Sequence, residues 1–244
     1  MKPETALVVL PPDLARRLIG QAVASLPQLQ RAMVDGRIVI AGSGTTRYVV
    51  QALLGEDPGH TPFTIGWICK GRFSETPPRE RGPGPYLIDH SHLSRGWPGE
   101  LLEQFDAGDI YIKSGNAIDT AGNVGILLGS PTGGAIGSAL PIIYARGAEL
   151  IIPISLQKLI PSVTAAGGKL GQRRLSRATG ATLGYMPIMA GFATVVTEVD
   201  ALRILFQLQA TMVASGGSND CEGAVTLHVE GDAENIGRLL EQTG

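Results

Sequence analysis

Four apolar residues, Ile38-Val39-Ile40-Ala41, empty directly into a turn of glycines and hydroxyls, Gly42-Ser43-Gly44-Thr45-Thr46. A strand that ends this way and opens a helix leaves backbone N–H groups uncovered where the helix dipole is positive. That corner suits an anion, most often a phosphate. Gly42, Ser43, Gly44, Thr45 and Thr46 are therefore candidate phosphate ligands, although a tight strand-to-helix connection can use the same glycines for geometry alone. Arg47 stands where a dinucleotide fingerprint needs its third glycine, and the next strand ends at Lys70 with no acidic residue for a ribose. No Gly-Lys-Ser/Thr follows any turn, so the chain has no Walker loop.

Lys113 closes a second apolar run, Ile110-Tyr111-Ile112, ahead of Ser114-Gly115-Asn116, and Asp119 lies six residues on. At the carboxyl end of an interior strand these residues face the usual ligand crevice. There Lys113 can neutralise a phosphate or polarise a carbonyl, and Asp119 can act as general base if burial or a neighbour raises its pKa. Ser114, Gly115 and Asn116 join the binding set, as do Gly133 and Gly134 of the four-glycine stretch Gly129 to Gly137. His90, in Asp89-His90-Ser91-His92, is a hydrogen-bonding candidate. The pair His90 and His92 lacks an evident third ligand, so neither a metal nor any other cofactor is expected. Arg173, Arg174 and Arg177 could clasp a phosphate, or form a solvated face.

These groups need a scaffold of alternating strands and helices. Apolar spacing predicts a helix over 12–34 with a break at Pro27, a strand over 37–41 and a helix carrying Val49, Val50, Leu53 and Leu54 on one face. Further strands are expected over 63–69, 86–89, 109–113, 124–128 and 150–154, with an exposed loop over 71–85 and a short helix over 101–105. From about residue 191 a strand over 194–199, a helix capped by Asp200 and carrying Leu202, Leu205, Leu208 and Met212, a strand at 225–229 and a helix over 232–242 suggest a small α+β lobe. The expected fold class is α/β: a doubly wound, mainly parallel sheet over 1–190 and a small C-terminal α+β (ferredoxin-like) lobe over 191–244.

The 244 residues, 43% of them hydrophobic, can bury a core of this size. A net charge of −2 and 5% aromatics offer neither a basic stripe nor stacking platforms, so no nucleic-acid partner is expected. The uncharged stretch Ala121 to Ala145 is broken by glycines and two prolines and makes a poor membrane span, so no membrane partner is expected. Two cysteines in no C-x-x-C spacing and a start without a signal-like layout point to the cytoplasm.

With those residues in hand, the layout resembles the ribose-5-phosphate isomerase A group and its wider superfamily of sugar-phosphate isomerases, deaminases, sugar-sensing regulators and CoA transferases. Val34 to Thr46 is similar to that group's Asp-Gly turn, strand and Gly-x-Gly-Ser/Thr-Thr phosphate loop. Asp109 to Asp119 is similar in position to its Asp-Gly-Ala-Asp-Glu-Val-Asp segment, Gly129 to Gly137 to its glycine loop, and Leu156-Gln157-Lys158-Leu159 to its Ser-Lys-Leu segment. The departures are as specific: Ser114 and Ala117 replace two aspartates, and Ile136 to Tyr144 holds no counterpart of the catalytic glutamate. The resemblance implies an anionic small-molecule ligand, a sugar phosphate first, and a homo-oligomer. It implies either an isomerase-like enzyme, in which Lys113 polarises the carbonyl and Asp119 shuttles the proton, or a non-catalytic sensor or subunit for a sugar phosphate, nucleotide or CoA ester.

Overall fold

The computed structural model describes residues 3–243 and is a mixed α/β structure. Its largest sheet has six strands in the order Thr194–Val196, Glu149–Pro153, Ile110–Ile112, Arg37–Ile40, Tyr86–Asp89, His92–Arg95. The first four run parallel and the last two are joined on by antiparallel pairing, so the sheet is mixed. Alternation along the central strands explains why it is covered on both sides. Ile38, Ile40, Ile110, Ile112 and Ile151 enter one buried cluster, while Val39, Tyr111, Leu150 and Ile152 enter another. The first cluster takes helices Pro12–Ala24, Thr46–Leu54 and Glu198–Phe206; the second takes Gly99–Leu102 and Gly134–Arg146.

The break expected at Pro27 is real: two helices, Pro12–Ala24 and Pro27–Asp35, each begin with a proline at the first position, where no N–H is needed. Buried Asp109 joins the starts of two central strands, accepting from the amides of Arg37 and Asp106 at 2.7 Å each, with the Arg37 guanidinium at 3.6 Å.

Several expected elements are corrected. Residues 63–69 split into a short helix, His60–Phe63, and a strand, Gly66–Cys69, that pairs with Arg72–Glu75 inside the segment read as loop. Leu208 and Met212 do not extend a helix. Glu198–Phe206 ends at Gln207 in the left-handed conformation, and Gln209–Gly216 is a strand. Thr197 is the N-cap of that helix, and Asp200 answers it by accepting from the Thr197 amide at 3.0 Å and hydroxyl at 2.8 Å.

The small sheet has three antiparallel strands in the order Glu4–Leu10, Ala224–Gly231, Gln209–Gly216. One of them is the start of the chain, whereas Thr194–Val196 belongs to the large sheet. A cut at 190/191 therefore coincides with neither sheet. Val8, Leu10, Val225, Leu227 and Val229 lie in the same buried cluster as Ile38 and Ile110. No described helix is long and apolar enough to cross a membrane.

Candidate functional site

The carboxyl ends of the four parallel strands deliver four segments to one edge of the sheet: the turn Gly42 to Thr46, Lys113 with Ser114 and Gly115, the loop Ser155 to Lys158, and Thr197 with Glu198. The Ala41 amide donates to the Ile112 carbonyl at 2.9 Å, which sets the start of the turn level with Lys113 on the neighbouring strand.

Within the turn, the hydroxyls serve the chain itself. Ser43 Oγ accepts from the amides of Thr45 at 3.3 Å and Thr46 at 3.0 Å, satisfying the first open donors of the following helix. Thr46 is buried, and its Oγ1 donates to the Ala41 carbonyl at 2.7 Å. The expectation that Thr45 and Thr46 offer their amides, and Thr46 its hydroxyl, to a ligand is thus corrected. Sequence alone cannot distinguish a hydroxyl that closes its own turn from one that faces outward. The amides of Gly42, Ser43 and Gly44 meet no acceptor among the described residues. Gly42 is required by a close approach, since a Cβ there would lie 1.8 Å from the Phe63 carbonyl oxygen.

Lys113 is partly buried; its backbone amide donates to the Ile151 carbonyl at 3.0 Å, and its ammonium forms no hydrogen bond or ion pair among the described residues. Burial pulls its pKa down to about 8. Lys158, which sequence reasoning did not place in the site, donates from Nζ to the Gly115 carbonyl at 2.8 Å. Burial, the Lys113 charge and Arg16 pull its pKa down to about 8, against a smaller upward pull from Glu198. Glu198 is fully buried. It accepts from Ser155 Oγ at 2.5 Å and the Leu156 amide at 2.8 Å, and burial raises its pKa against those hydrogen bonds. It ties the Lys158 loop to the start of the helix after Val196. The earlier hints were the place of Lys158 after an apolar strand and the likeness of Leu156-Gln157-Lys158-Leu159 to a Ser-Lys-Leu segment.

Asp119, expected as a proton shuttle, is placed among donors of its own chain. Its carboxylate accepts from the amides of Val163 at 2.9 Å, Asn123 at 3.0 Å and Ala121 at 3.1 Å, and from Asn123 Nδ2. Desolvation pulls its pKa upward, but these donors outweigh it and hold the group below the usual carboxylate range. Asn116 is likewise committed: its Oδ1 accepts from the Leu127 amide at 3.0 Å and its own amide donates to Gly125. Ser114 is buried with its hydroxyl directed to the Gly115 carbonyl at 3.3 Å.

His90 falls at the opposite edge of the sheet. Tyr86–Asp89 runs antiparallel to Arg37–Ile40, so Asp89 pairs with Arg37 at the amino end of the parallel strands. His90 and Ser91, both at positive φ, form the two-residue turn into His92–Arg95, and His90 Nδ1 meets Asp89 Oδ1 at 2.6 Å. Gly133 and Gly134, at φ +83° and +62°, open helix Gly134–Arg146 after a strand of a separate three-stranded sheet. That loop is held by the Ser130 carbonyl accepting from Gly133 at 3.1 Å, and it lies against the hairpin, where a Cβ on Gly129 would meet Glu75. Arg173, Arg174 and Arg177 are exposed. Two cavities, of about 240 and 500 Å³, both border the hairpin formed by Gly66–Cys69 and Arg72–Glu75, and the larger includes His60. No three His, Cys, Asp or Glu side chains stand together as a metal site among the described residues. A scan of family models, a search of curated proteins and a search of solved structures find no match to the chain.

Proposed function

We propose that the chain binds a phosphorylated small molecule at this edge of the sheet, with a sugar phosphate as the first candidate. One observation carries the reading: three amides without an acceptor, at Gly42, Ser43 and Gly44, adjoin two lysines, Lys113 and Lys158, that form no ion pair among the described residues. Burial lowers the basicity of both lysines, and the charges of Lys113 and Arg16 lower that of Lys158 further, a cost that a bound dianion relieves. The resemblance to sugar-phosphate isomerases supports the choice of ligand, and a mixed sheet with four parallel strands, covered on both faces, supports the placement at their carboxyl edge.

The site favours binding over aldose–ketose isomerisation. The isomerisation that the resemblance implies moves a proton between adjacent carbons through a carboxylate with an open lone pair. Asp119 has its oxygens filled, and Glu198 is sealed against Ser155 and Leu156. The reading is therefore of a sensor or subunit that retains the anion site. Calorimetric titration tests it: ribose 5-phosphate binds, ribose does not, Lys113→Met removes the binding, and no ribulose 5-phosphate forms. Equal affinity for ribose and its phosphate, or unchanged affinity in Lys113→Met, rejects the assignment.

A further inference from the structure

Helix His60–Phe63 packs over the Gly42–Gly44 turn, with its histidine Nε2 3.6 Å from where a Cβ on Gly44 would stand. The same histidine lines a cavity of about 500 Å³, a volume within the range of small-molecule sites. The other lining groups that bear on recognition are Thr61, half-buried Trp67 and Glu80. The Thr61 hydroxyl forms no hydrogen bond among the described residues, and Glu80 is met only by exposed Arg79 at 3.4 Å, an ion pair of little worth. Thr76 also lines the cavity but is committed, donating to the Thr64 carbonyl at 2.6 Å.

We infer that this cavity receives the base of a nucleoside monophosphate carrying an exocyclic amine, whose phosphate rests on the Gly42–Gly44 turn. The inference rests on the proposed anion site and names the other half of its ligand. Two ring side chains, Trp67 and His60, line it, and aromatic side chains are the groups on which a planar heterocycle stacks. A purely aliphatic ligand would leave Glu80, Thr61 and His60 desolvated without partners. An ionised carboxylate only accepts hydrogen bonds, so Glu80 selects an N–H donor on the base and repels phosphate, which leaves the turn beyond His60 as the anionic end.

The test uses calorimetry with AMP, IMP, ribose 5-phosphate and adenosine, and tryptophan fluorescence in a Trp97→Phe background, since Trp97 is exposed and lies outside the cavity. Stacking and one charge-assisted hydrogen bond predict that AMP binds about tenfold more tightly than ribose 5-phosphate and quenches Trp67. Trp67→Ala brings AMP to the level of ribose 5-phosphate, and Glu80→Gln narrows the preference for AMP over IMP. Should Trp67→Ala fail to fold, Glu80→Gln carries the comparison, because Glu80 sits on a short exposed turn. Equal affinities for AMP and ribose 5-phosphate overturn the base site while leaving the anion site standing. Quenching by adenosine without any binding of ribose 5-phosphate supports the base site and overturns the turn as the phosphate end. Binding of none of the four overturns both.

Discussion

Lys113 and Asp119 show how differently two charged residues near one sheet edge are treated. Lys113 carries a charge with no partner, so burial works against its protonated form; Asp119 is surrounded by donors that favour its ionised form. The stability consequence for the lysine has a definite sign. A lysine held near 8, against an ordinary value of 10.5, binds fewer protons in the folded than in the unfolded chain between those limits. The cost is therefore full below pH 8, and stability rises with pH from about 8 toward 10.5. Lys113→Met removes that cost. Chemical denaturation at pH 7 is expected to show a gain of about 1–3 kcal/mol, fading as the pH approaches 10. The same charge predicts that affinity for ribose 5-phosphate falls as pH rises through about 8, as the lysines lose their protons. A pH series of titrations checks this, and a flat profile argues against a role for the lysines. Asp119→Asn places an amide among backbone donors and is expected to cost about 2–4 kcal/mol, read as a lower denaturation midpoint, while the folded fraction still binds ribose 5-phosphate.

At the scale of elements, the strand-to-helix turn is built by a close approach and a self-satisfied cap. Gly42 has no room for a side chain beside the Phe63 carbonyl, so Gly42→Ala must displace helix His60–Phe63 or the strand end. A fall in melting temperature and lost binding of ribose 5-phosphate are both expected; an unaltered melting temperature contradicts the packing. Ser43→Ala removes the acceptor for two amides and is expected to cost about 1 kcal/mol, the usual worth of such a side-chain acceptor at a helix start. Because the Gly42 to Gly44 amides do not depend on that hydroxyl, Ser43→Ala retains ligand binding once folded. The hairpin of Gly66–Cys69 and Arg72–Glu75 pairs with itself, and its second strand bridges Phe73 to Gly180.

The whole molecule is bound together by its chain start. Glu4–Leu10 is an edge strand of the small sheet, and its inward residues Val8 and Leu10 join the cluster that includes Ile38, Ile110 and Val196 from the large one. Removing residues 1–10 strips a full antiparallel partner from Ala224–Gly231 and exposes Val225, Leu227 and Val229. The shortened chain is expected to bind a hydrophobic dye and to melt in a broadened transition. A sharp transition at the original temperature would show the small sheet to be independent of that strand.

Local pattern in the sequence determined much of this molecule. The apolar runs at 37–41, 109–113 and 150–154 became neighbouring parallel strands, the proline break at Pro27 became a helix boundary, and the alternation of Val225, Leu227 and Val229 became a one-sided strand. Each follows from periodicity or from a residue's own backbone limits, which act over a few positions. Direction and partnership were decided only in three dimensions. His90 left the site because its strand runs backwards, Glu4–Leu10 joined the last sheet because antiparallel pairing ignores sequence distance, and Lys158 and Glu198 entered the site edge through parallel crossovers. Whether a hydroxyl or carboxylate faces a ligand or its own backbone depends on which donors the folded chain brings within 3 Å, as at Ser43 and Asp119. At Ser43 the donors lie two and three residues on, within the turn itself, whereas the Val163 amide reaches Asp119 from 44 residues away, a distance that only packing sets.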